Sequence, residues 1–100
     1  MGLFGPKKDV VMPKVADIFS IDELQQIRTV IEPKYNSNSY GFKYNGMAET
    51  LLEITANQDK QYSKKEWVSI IYSAGCFTKL EPQLSPILKA GIDRYHAYKS

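Results

Sequence analysis

Phe19-Ser20-Ile21-Asp22-Glu23-Leu24 and, further along, Tyr62-Ser63-Lys64-Lys65-Glu66-Trp67 share one local grammar: aromatic, serine, two intervening residues, glutamate, large apolar residue. At such a site the serine oxygen accepts an N–H of the first helical turn. The glutamate three positions on reaches back to the serine's own N–H, so two donors that a helix start leaves unpaired are satisfied together. The residues flanking each box are placed to touch across the cap, Phe19 with Leu24 and Tyr62 with Trp67. The segments therefore mark two helix starts. Their match at an offset of 43 residues would suit a duplicated helical hairpin, but unpaired helix-start donors call for the same solution wherever they occur.

From the first box, Leu24, Ile27, Val30 and Ile31 recur at three- and four-residue spacing, which predicts a helix over Ile21–Glu32 that Pro33 ends. From the second, Trp67, Ile70, Ile71 and Ala74 predict a helix over Lys64–Ala74 with Gly75 as its terminator. Between the boxes, Met47, Ala48, Leu51, Leu52 and Ile54 form one apolar face, and a helix over Met47–Ala56 follows. Ser85-Pro86 opens a last helix, Pro86–Tyr98, whose stripe is Leu88, Ile92, Tyr95 and Tyr98. Val11, Val15 and Ile18 suggest a short helix within Val10–Ile18. The stretch Tyr35–Gly46, rich in Asn, Ser and Gly among Tyr and Phe, reads as the main loop or a short hairpin. The expected fold is an all-α, single-domain bundle of four main helices with a short fifth near the N-terminus and a Tyr/Asn/Gly-rich loop between halves.

A chain of 100 residues, 43% apolar, suffices for one compact core. Residues 10–100 are expected to form it, and residues 1–9 to be a flexible arm. The net charge of +2 comes from basic and acidic residues that interleave, so no strong field for polyanions is implied. Cys76 is the one cysteine, which excludes an intramolecular disulfide and suits a reducing cytoplasm. Leu3 and Phe4 precede Lys7 and Lys8, the reverse of a secretory signal, and Pro6 stands where a myristoylation motif needs Ser or Thr. Val68–Phe77 is about half of a bilayer span, so no membrane partner is expected.

The run Thr55–Glu66, TANQDKQYSKKE, places Asn57, Asp59, Ser63 and Glu66 at positions three, five, nine and twelve of a twelve-residue segment between helices. It resembles the calcium loop of the EF-hand family, in which such oxygen ligands hold the ion. Thr55 stands where that family uses a carboxylate and Lys60 where it uses glycine, and Lys60, Lys64 and Lys65 repel a dication. These four residues are weak metal candidates, and no metal or other cofactor is expected. Cys76 and His96 are the only pair from which a thiol–imidazole dyad could be made, and the cysteine's apolar neighbours favour a core role. Glu49 and Glu53, one turn apart, read as a solvated helix face. No phosphate loop, HExxH or nucleophile elbow occurs, so catalysis is not expected.

The expected contact surface is the loop itself. Tyr35, Tyr40, Phe42, Lys43 and Tyr44 supply rigid rings and a cation among adaptable Asn, Ser and Gly, a composition suited to a protein partner. Arg94, Tyr95 and Tyr98 would extend it, and a homo-oligomer is compatible with the same residues. The alternative partner is nucleic acid, with Lys34 and Lys43 on phosphates and the aromatics on bases.

Overall fold

The computed structural model describes residues 11–99, so the expected arm at residues 1–9 lies outside the described residues. The chain forms α1 (Val15–Ile18), α2 (Ile21–Asn36), α3 (Gly41–Thr55), α4 (Lys64–Leu80), a single 3-10 turn (Pro82–Leu84) and α5 (Ser85–Lys99). It is an all-α bundle of four long helices and one short one. Helices α2 and α3 make one hairpin and α4 and α5 a second, joined where α3 packs on α4.

Both capping boxes form. Ser20 Oγ accepts the Glu23 N–H at 3.1 Å while Glu23 accepts the Ser20 N–H at 2.9 Å. Ser63 and Glu66 repeat the exchange at 3.2 and 2.9 Å. Glu23 also reaches beyond its own helix. Arg94 of α5 donates to both of its oxygens, at 2.8 and 3.2 Å, and to the Ile18 carbonyl at 2.7 Å. That contact clamps the last helix to the start of α2, and the Arg94 hydrogen bonds hold the Glu23 carboxyl below its ordinary pKa.

The predicted stripes line the core. Leu24, Ile27 and Ile31 meet Ala48, Leu51 and Ile54 on one side, and Trp67, Ile70, Ala74 and Phe77 meet Leu88 and Tyr95 on the other. Trp67 ties α4 to α5 and to the segments before α1 and α4: its ring stacks on Tyr95 at 5.3 Å, meets Tyr62 edge-to-face at 6.1 Å, and its N–H donates to the Pro13 carbonyl at 3.1 Å. A buried indole keeps its hydrogen bond this way while supplying the bulkiest side chain of the core. Segment 12–16 is tied to the α3–α4 loop: Val15 and Ala16 donate backbone N–H groups to Lys60 and Gln58, and Lys14 bridges Gln61. Phe19 then lies so close to α5 that a Cβ on Gly91 would come within 2.2 Å of its ring.

Three expected boundaries move. Helix α2 continues through Pro33 to Asn36. Proline removes one donor to the Thr29 carbonyl, but Thr29 and Pro33 are both exposed, so water can take its place. Helix α4 continues through Gly75 to Leu80, because Gly75 keeps a right-handed φ and Phe77, buried beyond it, extends the apolar stripe. The expected loop over Tyr35–Gly46 shrinks to the turn of residues 37–40. The two conformations disfavoured for most residues are met there by Asn38 (φ 60°) and by Gly41 (φ 73°) just beyond. Tyr44, Met47, Ala48 and Leu51 turn out to share one helical period, which puts the aromatic-rich half of the stretch into α3.

Candidate functional surface

The residues expected to form a contact loop divide into two groups. Tyr35 and Tyr40 pack partly buried against the core. The Tyr40 ring meets Phe77 edge-on at 5.0 Å, and its hydroxyl donates to Glu81 Oε2 at 2.7 Å. Lys34 Nζ donates to the same carboxylate at 2.8 and 3.1 Å, and Gln83 adds a 3.3 Å bond. The Glu81 side chain is only 3% exposed. Burial alone would raise its pKa, but the donors from Lys34, Tyr40 and Gln83 outweigh it and hold the carboxyl below its ordinary value. Burial, and the carboxylate beside it, push the Tyr40 hydroxyl well above the usual phenol range. Glu81 thus fastens the α2–α3 turn to the end of α4. It binds two of the groups, Lys34 and Tyr40, that a nucleic-acid reading would leave for phosphates and bases.

The second group faces outward. Phe42, in the first turn of α3, is wholly exposed (101%), and Lys43 is exposed with its ammonium 5.4 Å from the centre of the half-buried Tyr44 ring. Of the expected extension on α5, Arg94 is engaged with Glu23 and Tyr95 is buried, while Tyr98 is partly exposed.

The candidate cation loop is occupied by its own chain. Ser63 and Glu66 are reciprocally bonded as a helix cap, and the Asn57 amide donates to the Glu53 carbonyl at 2.8 Å, closing the end of α3. The carbonyls of Gln58 and Lys60 accept from α1. Asp59 is exposed. Among the described residues no group of three or more His, Cys, Asp or Glu is placed to hold a metal ion. A cleft of about 140 Å³ beside this loop is lined by Glu53, Tyr62 and Glu66 among others. Glu53 meets Lys60 at 3.7 Å, and burial followed by the Glu53 charge pushes the Tyr62 hydroxyl up to about 12. Glu49 is exposed, as its helix position suggested.

One surface is not marked by any motif in the sequence. On α4, Val68 and Tyr72 lie 57% and 65% exposed, one turn apart and facing away from Trp67, Ile70 and Ala74. Beyond them a shallow recess of about 270 Å³ is lined by Tyr72, Gly75, Cys76 and Lys79. The spacing of Val68, Tyr72 and Cys76 is itself helical, and it could have shown that the apolar arc of α4 is wider than one neighbour covers. A helix ending at Gly75 would leave out only the continuation of this spacing at Cys76.

Searches of protein families, curated proteins and solved structures returned no match to this chain. The functional reading accordingly rests on the surface itself. Among the described residues no helix is long and apolar enough to cross a membrane.

Proposed function

We propose that this protein is a non-catalytic protein-binding module, an adaptor, inhibitor, immunity or regulatory factor, that works through apolar side chains held outward by well-packed helices. The observation that carries this reading is the exposure of Phe42, Val68 and Tyr72 on helices whose opposite faces are buried. Each of these residues is presented on backbone already ordered by folding, so docking against it costs little further backbone entropy. Aromatic anchors of this kind dominate the energetics of protein interfaces. Phe42 has Lys43 beside it, and Tyr72 lines a recess that Lys79 also borders, which adds a polar rim and a concavity to apolar contact.

The test is capture of partners from untreated and nuclease-treated halves of a lysate of the source organism by the wild-type chain and by Phe42→Ser and Tyr72→Ser variants of unchanged melting temperature. A stoichiometric protein partner that survives nuclease and is lost with either variant supports the reading. Recovery that requires intact nucleic acid, or a partner retained by both variants, overturns it.

A further inference from the structure

We infer that the outer face of α4 is the docking site for an acidic amphipathic helix of a partner protein. This rests on the protein-binding reading and adds the face used and the chemistry of what occupies it. Lys65, Val68, Tyr72, Cys76 and Lys79 recur at spacings of three and four, so they share one side of the helix. The middle of this row is apolar and its two ends are lysines. Among the described residues neither lysine forms an ion pair within the chain. The acidic residue of α4, Glu66, lies on another side and is taken up by the Ser63 cap.

Gly75 lines the recess beside Tyr72. A Cβ built there meets nothing within 4 Å, whereas one on Gly91 would strike the Phe19 ring. Packing requires the second glycine but neither Gly75 nor Gly46, and of these two Gly75 is the one that lines the recess. Gly75 leaves room on the outer face for a side chain from elsewhere.

The charges choose the occupant. In an antiparallel pair of α4 helices from two copies, with the two-fold axis at Tyr72, Lys65 would face its counterpart's Lys79. In a parallel pair each lysine would face itself. Both arrangements oppose like charges, which argues against a second copy. A helix with apolar residues at its centre and carboxylates near both ends answers every position of the row. Lys65 and Lys79 are separated by about 21 Å along the axis at 1.5 Å per residue, so the matching carboxylates are about four turns apart.

The probes are two synthetic helical peptides of identical apolar pattern, one carrying Glu at both ends and the other Lys, titrated into the full ¹⁵N-labelled chain. The expected result is that the Glu peptide shifts the amide signals of Val68, Tyr72, Gly75 and Cys76 and binds at least fivefold tighter than the Lys peptide. A Lys65→Glu/Lys79→Glu variant with an unchanged melt should reverse that preference. Equal binding of the two peptides, shifts confined to other helices, or tighter binding of anionic vesicles or duplex DNA to this face would overturn the inference. If the charge preference is missing but lysate capture still depends on Tyr72, the inference alone fails. If the charge preference is missing and lysate capture also survives both Tyr72→Ser and Phe42→Ser, the protein-binding reading fails with it.

Discussion

The inner and outer faces of α4 are built from similar residues and meet opposite fates. Trp67, Ile70, Ala74 and Phe77 are sealed in the core, while Val68 and Tyr72, each within two positions of a buried residue, stand more than half exposed. The inner face is specified by shape as much as by hydrophobicity, with Trp67 stacked on Tyr95 and bonded to Pro13. The outer face has apolar residues, a notch at Gly75 and, among the described residues, no neighbouring element to fill them. Hydrophobicity put both faces on the helix, and packing decided which became core. Scattered exposed apolar residues are ordinary on any protein, and what sets this face apart is that its apolar residues form a row with a concavity and a lysine at each end.

Substitutions on the two faces should separate stability from binding. The largest effect is expected for Trp67→Ala, which empties the space between Tyr62, Tyr95 and the Pro13 carbonyl and should cost about 3–5 kcal/mol in chemical denaturation. Glu81→Gln comes next. Wild-type Glu81 is held below its ordinary pKa, so its contribution is complete above about pH 4.5 and fades as the pH falls further through its folded-state pKa. The variant should be less stable at neutral pH by about 1–3 kcal/mol, with a shallower loss on acidification, as read from urea midpoints between about pH 3 and 7. Ser63→Ala, which removes the cap of α4 without touching either face, should cost about 1 kcal/mol, and Ser20→Ala a similar amount at α2. Tyr72→Ser should change stability by no more than about 0.5 kcal/mol.

How far the sequence reveals the molecule follows the same division. Helix starts are legible because a serine and a glutamate three residues apart solve a local problem locally, at Ser20–Glu23 and again at Ser63–Glu66. Helix ends are not, because distant partners decide them. Pro33 and Gly75 are breakers by local rules, yet both helices run on to place Lys34 on Glu81 and Phe77 on Tyr40. Glu81 carries no local sign of its role, since its donors Lys34 and Tyr40 lie more than forty residues away in the chain. Tyr35 and Tyr40 have the composition of an interface and serve mainly as packing. Phe42 and Lys43 do face outward, as the composition around them suggests. A reading that ends the helix at Gly75 keeps Lys65, Val68 and Tyr72 but loses Cys76 and Lys79, the far end of the row on α4.

The most direct test of the outer face is a paired measurement on Gly75→Ala, with Gly46→Ala as its control. A Cβ at either helical glycine meets nothing in the folded chain, so both variants should melt higher, by up to about 4–8 °C for a gain near 1 kcal/mol. Gly75→Ala should at the same time bind the acidic peptide at least threefold more weakly, while Gly46→Ala binds it as the wild type does. If Gly75→Ala gains stability and keeps its full affinity, the notch on α4 has no binding role and the outer face is not the docking site.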